Sequence, residues 1–244
     1  MKRILLTLSY NGTNYHGWQR QPNGITVQET LESGLFKVLG EKTSVQGCSR
    51  TDAGVHAKMF CCHLDCADNI PDDAFLRGLN SILPNDIAVL DCKTVGNDFH
   101  ARFNTKGKTY VYNIYNSSVK DPFLMPFVWQ IERPIYIDKM NEFCKKIVGT
   151  HDFYGFSSSG RTVVDTVRTV TECETEKDGD FIRLKITANG FLYNMVRIIV
   201  GTAVEVSDGR CESNCVDEVF ETKNREKAGL TAPPQGLFLE KVYY

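Results

Sequence analysis

A chain of 244 residues that is 42% hydrophobic and 24% charged has an ordinary globular composition, long enough for one large domain or two smaller halves. No apolar run approaches the roughly 20 residues needed to span a bilayer. Nothing after Met1-Lys2-Arg3 reads as a secretion signal, so the nine cysteines, an odd number, are expected as reduced thiols in a cytoplasmic protein, not a disulfide framework. A net charge of −2 and a pI near 6.2 exclude a chain that is cationic throughout. Any RNA-binding surface must therefore be local, because phosphate neutralisation supplies much of such affinity.

In chain order, residues 3–10 alternate as a first strand and run into Tyr10-Asn11-Gly12-Thr13-Asn14-Tyr15-His16-Gly17-Trp18-Gln19-Arg20-Gln21. That loop of glycines, aromatics and amides can stack on bases and bond phosphates, or fold on itself with Trp18 inward. Thr26-Val27-Gln28-Glu29 is a capping box opening a helix with the stripe Val27, Leu31, Leu35, Val38 and Leu39, closed by Gly40. Two β-type runs, 43–49 and 57–64, then flank the turn Ser49-Arg50-Thr51-Asp52-Ala53-Gly54. Asp and Gly there are turn chemistry, and a carboxylate on a short turn between sheet-anchored arms suits a nucleophile or general base. Read from the residues alone, Asp52 equally caps the turn beside a solvated Arg50.

A second helix starts near Pro71-Asp72-Asp73 and buries Phe75, Leu79 and Ile82 before Pro84. A strand over 87–95 completes a β-α-β-β-α-β order. After Phe99-His100-Ala101-Arg102-Phe103 come a turn at Lys106-Gly107-Lys108 and a strand over 109–115, with Tyr110, Tyr112 and Ile114 on one face. Pro122, Pro126 and Pro134 mark an irregular connector. A helix over 138–148 turns Met140, Phe143 and Ile147 inward and ends at Gly149. Residues 151–161 read as a polar loop, and strands over 163–176 and 181–188 join through Asp178-Gly179-Asp180. An apolar helix is expected over 189–201, a short one near 215–222, and a closing strand around 236–243.

Arg197 lies among Met195, Val196, Ile198, Ile199 and Val200, a setting in which a cation needs an acid partner or a route to water. Glu205 and Asp152 are structural candidates for that partner. Glu172, Glu174 and Glu176 recur at period two and share one strand face. They can lie away from a basic surface of Arg20, Arg50, Arg102, Lys106, Lys108, Arg161 and Arg168. Cys61-Cys62-His63-Leu64-Asp65-Cys66 with Cys211 and Cys215 supplies metal-ligand types. Close pairs can be assembled from these positions, but the spacing is a weak match, Cys61 and Cys62 point to opposite faces of a strand, and Cys is a good small core residue, so no metal is expected.

The run Ser49–Ala57 resembles the signature of the TruA family of tRNA pseudouridine synthases, with Ser49 where the usual form has Gly. The loop from Tyr10 resembles that family's N-terminal motif, with Asn11 and Trp18 as departures. Lys108-Thr109-Tyr110-Val111-Tyr112, Asn189–Arg197 and Ala232–Leu239 are similar to its later motifs, in the same order along the chain. The resemblance implies isomerisation of uridine to pseudouridine at positions 38, 39 and 40 of the tRNA anticodon stem-loop, without a cofactor. It implies Asp52 as the catalytic carboxylate, Arg197 as its partner, Tyr110 as the ring stacked on the target uracil, and Arg50 as the residue entering the RNA stem. It further implies a homodimer with no membrane attachment. The fold expected is α+β, two ferredoxin-like β-α-β-β-α-β halves (1–105 and 106–244) sharing a mixed, largely antiparallel sheet with a central cleft. A non-catalytic tRNA-binding or chaperone protein on the same fold is the competing reading. An Asp-nucleophile phosphatase lacks its Asp-x-Asp pattern and a magnesium set.

Overall fold

The structure is a computed structural model that describes residues 1–67, 70–160, 163–212 and 214–244. Its strands are β1 (Lys2–Tyr10), β2 (Gln46–Gly47), β3 (His56–Cys66), β4 (Ile87–Val95), β5 (Gly107–Tyr115), β6 (Trp129–Gln130), β7 (Gly149–Asp152), β8 (Val167–Asp178), β9 (Phe181–Ala188) and β10 (Leu237–Tyr243). The helices are α1 (Val27–Leu39), α2 (Asp72–Asn80), α3 (Ile137–Ile147), α4 (Met195–Ser207) and α5 (Cys215–Thr222). The class is α+β, and the strand pairing is mostly antiparallel. Among the described residues no helix is long and apolar enough to cross a membrane. The chain divides into two compact units, residues 1–106 with 238–244, and residues 107–237.

In the first unit β1 pairs antiparallel with both β3 and β4, and β2 pairs antiparallel with β3. With α1 and α2 in the connections, this is the ferredoxin-like arrangement that the element order predicts. β10 adds a short parallel pairing, Phe238 opposite His56 and Leu239 opposite Ala57. α1 begins where the capping box places it: the Thr26 hydroxyl accepts from the Glu29 N–H at 3.3 Å, and Gly40 closes the helix at φ +75°. Val27, Leu31 and Leu35 are buried, while Val38 and Leu39 are half-buried. α2 buries Phe75 and Leu79 but stops at Asn80, leaving Ile82 half-buried in the turn beyond.

Both faces of β1 and β3 are covered. Ile4, Leu6 and Leu8 pair across to Leu64, Cys62 and Phe60 on one face; Leu5 pairs with His63 and Thr7 with Cys61 on the other. The second face is covered by the segment after Phe99 and by the C-terminus. The Ala101 N–H donates to His63 Nδ1 at 3.1 Å, and the Tyr244 hydroxyl donates to the Ala101 carbonyl at 2.8 Å. Adjacent Cys61 and Cys62 are thus both buried, one on each face. All nine cysteines are free thiols, and among the described residues no group of three or more His, Cys, Asp or Glu is placed to hold a metal.

In the second unit the strand order is β5-β9-β8-β7, antiparallel throughout, with β6 parallel to β5. β5 already includes Gly107 and Lys108, which the sequence assigns to a turn. α3 packs on β8 and α4, burying Met140, Phe143, Cys144 and Ile147. Three further expectations are corrected here. Residues 151–156 are not a loop: β7 forms an edge strand, and the following 3-10 turn buries Phe153 and Phe156 against Phe220, each ring centroid 5.4 Å away. β8 starts at Val167 instead of 163. α4 starts at Met195, six residues later than expected, and continues to Ser207, because Asn194 ahead of it takes the left-handed conformation at φ +59°.

Burial pushes the His63 pKa down to about 4 from its ordinary 6.5. As pH falls below 6.5 the unfolded chain takes up this proton before the folded one, so His63 lowers stability progressively from pH 6.5 to 4. The urea midpoint should fall across that window, with a shallower fall in His63→Gln, which does not titrate. Equal pH slopes in both proteins would show that His63 stays solvated.

Candidate active site

The carboxylate singled out by sequence lies in the first unit, on the eight-residue loop between β2 and β3. The two β-type runs expected to hold it are unequal. β3 is long, but the first run reduces to Gln46–Gly47, extended by one more bond from the Cys48 N–H to the Cys61 carbonyl. The loop is fixed instead by the segment that follows β1. Trp18 N–H donates to the Thr51 carbonyl at 3.1 Å, and Gly54 N–H donates to the Tyr15 carbonyl at 3.2 Å. The Tyr10 and Thr51 hydroxyls bond at 2.8 Å, and the Gly12 N–H donates to His56 Nδ1 at 3.1 Å. The loop also closes on itself, Val55 N–H to the Asp52 carbonyl at 3.1 Å, with Gly54 at φ +77°.

This brace requires glycine. A Cβ on Gly12 would lie 2.0 Å from the Val55 carbonyl oxygen, and one on Gly17, at φ +81°, 2.3 Å from the Thr51 carbonyl oxygen. Trp18 anchors the same segment from beneath: it is 2% exposed and stacks on Phe60 at 4.0 Å. An aromatic pair of this kind adds about 0.5–1.5 kcal/mol beyond its buried area. The inward reading of Trp18 is thus the one the fold adopts. Tyr15, pinned at 2.6 Å on Asp86, has its pKa raised by burial and remains a neutral donor. His56 is buried and stacked 4.5 Å from Phe238, a structural member of the loop. Asp52 itself is half-buried, whereas Arg50, two residues before it, is exposed.

Tyr110 and Arg197 lie in the second unit. Tyr110 is 5% exposed on β5, opposite Ile186, and meets the edge of Phe191 at 5.0 Å. Phe191 belongs to the segment that leads to Arg197, so one stretch of chain reaches both residues. Arg197 sits in the first turn of α4. Its Nε donates to the Ala232 carbonyl at 2.7 Å and its Nη1 to Asn194 Oδ1 at 2.9 Å, while the Ala232 N–H donates back to the Arg197 carbonyl at 3.0 Å. Asn194 Nδ2 in turn donates to Ser158 Oγ at 2.9 Å. These bonds fix the guanidinium through Nε and Nη1. The structural acids weighed for it are engaged elsewhere: Asp152 with Lys223 at 2.7 Å, Glu205 near Arg210 at 3.7 Å. On the same unit, Tyr112 donates to the Pro233 carbonyl at 2.7 Å and packs as a core residue.

The charged groups sort by surface. Glu172 and Glu174 face Lys185 at 2.7 and 3.6 Å, and the Lys185 hydrogen bond holds the Glu172 pKa below the usual range. Of the expected basic set, Arg20 is drawn to Glu29 and Glu32, at 3.4 and 3.3 Å, and Lys108 is buried. Arg50 and Arg102 line one cavity of the first unit. Arg161 lies outside the described residues. Sequence reasoning missed the brace of Gly12, Tyr15 and Gly17, the contact of Phe191 with Tyr110, and the ties of Arg197 to Asn194 and Ala232. The one available signal was glycine at two positions of an otherwise bulky loop.

Comparison with known proteins adds the following. The family described as tRNA pseudouridine synthase matches residues 7–104 and 143–244. The chain is 45% identical over 244 residues to "tRNA pseudouridine synthase A" of Thermoanaerobacter sp. (strain X514), covering 100% of both chains. It is 46% identical to the protein of that name in Clostridium acetobutylicum, and 43% identical to "tRNA pseudouridine synthase A 2" of Clostridium perfringens, again over 100% of both chains. A solved structure, an archaeal box H/ACA sRNP Nop10–Cbf5 complex, is similar with a TM-score of 0.36 and 12% identity, over 82% of this chain and 44% of that one.

Gly17→Ala adds both a left-handed penalty of about 1–2 kcal/mol and an overpacking penalty of about 1–3 kcal/mol. Chemical denaturation should show a loss of about 2–5 kcal/mol, the sum of the two. A loss under 0.5 kcal/mol, within the range of ordinary surface substitutions, would mean that the brace yields freely.

Proposed function

The chain belongs to the tRNA pseudouridine synthase family and isomerises uridine in tRNA to pseudouridine, and from that premise we propose that its targets are the uridines at positions 38, 39 and 40 of the anticodon stem-loop, with Asp52 as the catalytic carboxylate. The observation that carries the assignment is the brace: Asp52 is the acid on a loop whose backbone is fixed by hydrogen bonds and glycine contacts from the segment after β1. A positioned carboxylate raises the effective concentration of the attacking group, whereas a mobile one does not.

A uridine in a stem is reached only by unstacking it and turning it out of the helix. Tyr110 then receives the base, and Arg50, exposed at the loop tip, enters the space the base leaves. Asp52 acts at the ribosyl C1′. The C1′–N1 bond breaks, the uracil turns, a C1′–C5 bond forms, and the C5 proton is released as N1 gains one. Substrate and product are isomers, so the step consumes no cofactor. Arg197, held by Asn194 and Ala232, keeps the Asp52 carboxylate ionised, since an opposite charge favours the charged form. The family resemblance extends this reading to a homodimer, and the nine free thiols accord with the cytoplasm. The relatives' common name does not favour the non-catalytic alternative.

Asp52→Asn should bind tRNA within about threefold of the parent and lose at least about a thousandfold in rate, the scale seen when a catalytic group is deleted. Tritium release from tRNA carrying 5-tritiated uridine measures the rate, and filter binding measures the affinity. Near-normal release by the variant would refute the assignment.

A further inference from the structure

We propose that the cavity beside the Asp52 loop binds one nucleotide of the substrate RNA in the strand flanking the reacting uridine, its base stacked on Phe103 and its phosphate held by Arg102, next to the stem that Arg50 enters. The proposal rests on the functional reading above and names a contact of that same substrate. The cavity, about 210 Å³, lies wholly in the first unit. That is below the 300–1,000 Å³ typical of pockets that enclose a whole small molecule, so it suits a fragment of a polymer.

Its floor is rigid. Trp18 is stacked on Phe60, and the Gln28 amide is fully engaged, accepting from Gln19 Nε2 at 3.2 Å and the Arg20 N–H at 3.0 Å while donating to Glu32 Oε1 at 3.0 Å. Its mouth carries Arg50, Arg102, His100 and Phe103. Among the described residues no carboxylate lines it, in a chain whose net charge is negative. A site with two cations and no acid selects an anion.

The mouth is pre-folded by its own hydrogen bonds. The His100 N–H donates to Asn104 Oδ1 at 2.6 Å, and the Thr105 hydroxyl donates to the Ala101 carbonyl at 2.8 Å. The Arg102 and Phe103 N–H groups both donate to His100 Nδ1, at 3.1 and 3.4 Å. That places the ring proton of the neutral imidazole on Nε2, which becomes a donor for phosphate or base. The His63 bond to Ala101 anchors this turn to β3. On it Phe103 is 76% exposed, with the His100 ring at 4.3 Å and the Arg102 guanidinium 5.9 Å from its centroid. An aromatic ring presented to solvent by a fixed backbone, with the Arg102 guanidinium over it, matches the way single-stranded bases are held: a stacking face plus phosphate neutralisation. Arg50 ties the cavity to the chemistry, because it lies both at this mouth and two residues from Asp52.

The test uses the full-length protein and an unmodified tRNA transcript, with binding measured from 50 to 200 mM salt. Phe103→Ala should weaken binding about tenfold, and Phe103→Trp, which keeps a stacking face, should restore it. Arg102→Gln should reduce the slope of log affinity against log salt by about 0.7–0.9, the value of one lost phosphate contact. Transcript carrying 4-thiouridine should photo-crosslink to the peptide containing residues 100–103. Because Phe103 is exposed, an unchanged melting curve separates loss of contact from loss of fold. Wild-type affinity and salt slope in both Phe103→Ala and Arg102→Gln, or crosslinks only elsewhere, would overturn the proposal. These readouts do not require turnover. A protein that binds through Phe103 but releases no tritium contradicts the functional reading while supporting the pocket. One that releases tritium with unchanged variant binding contradicts the pocket alone.

Discussion

Everything at the candidate site depends on the close approach of two backbones, the segment Gly12–Trp18 and the loop Thr51–Val55. Space at two points excludes even a methyl group, and the hydrogen bonds that cross between the segments are backbone bonds or bonds to buried side chains. Such contacts transmit position well. A side-chain contact tolerates rotamer changes, but a carbonyl packed against a glycine Cα leaves no slack. The acid on that loop inherits the rigidity of the β1–β3 sheet without being part of it. A carboxylate held this way would lose little entropy in reaching a reacting geometry, which is where much of an oriented group's advantage arises.

The second unit solves a related problem by different means. Arg197 opens an apolar helix, and an unsupported guanidinium there would be costly. Its support is local and reciprocal: it donates to Ala232, receives a bond back from the same residue, and leans on Asn194. Asn194 in turn needs a left-handed conformation to end the preceding segment and bond to Ser158. The position of α4, packed so that Gly201 lies against the Leu230 backbone, brings residues 228–232 to the arginine. A close glycine contact thus stands against the Asp52 loop in one unit and on the Arg197 helix in the other.

How much of this the sequence revealed depended on whether the signal was local. α1 was legible because Thr26, Glu29 and Gly40 specify both of its ends within the helix's own span. β4, α5 and the turn at Gly179 were legible for similar reasons. β7 was not, because Gly149–Asp152 is short and polar and becomes a strand only through pairing with β8. The start of α4 was misplaced because the apolar run begins at Phe191, which serves Tyr110 before any helix starts. Asp52 on its turn and Arg197 in its apolar run drew notice on physical grounds, but those grounds fitted structural roles equally well, and the roles of Asp52, Arg50, Tyr110 and Arg197 came from motif resemblance. Their supports were invisible, since a glycine in a loop does not say which distant carbonyl will press on it.

Charge presents the remaining contrast. A net-negative chain acts on a polyanion, and it does so by segregation: acids on β8 are neutralised by Lys185, Arg20 is occupied by Glu29 and Glu32, and Arg50 with Arg102 stands at a cavity that no acid among the described residues lines. The most direct test of the central claim, that a braced carboxylate isomerises uridine in the anticodon arm, is position-resolved mapping of pseudouridine in unmodified tRNA transcripts incubated with the purified protein. The account predicts conversion confined to positions 38, 39 and 40. Conversion confined to other arms of the tRNA, or none at all, would contradict it.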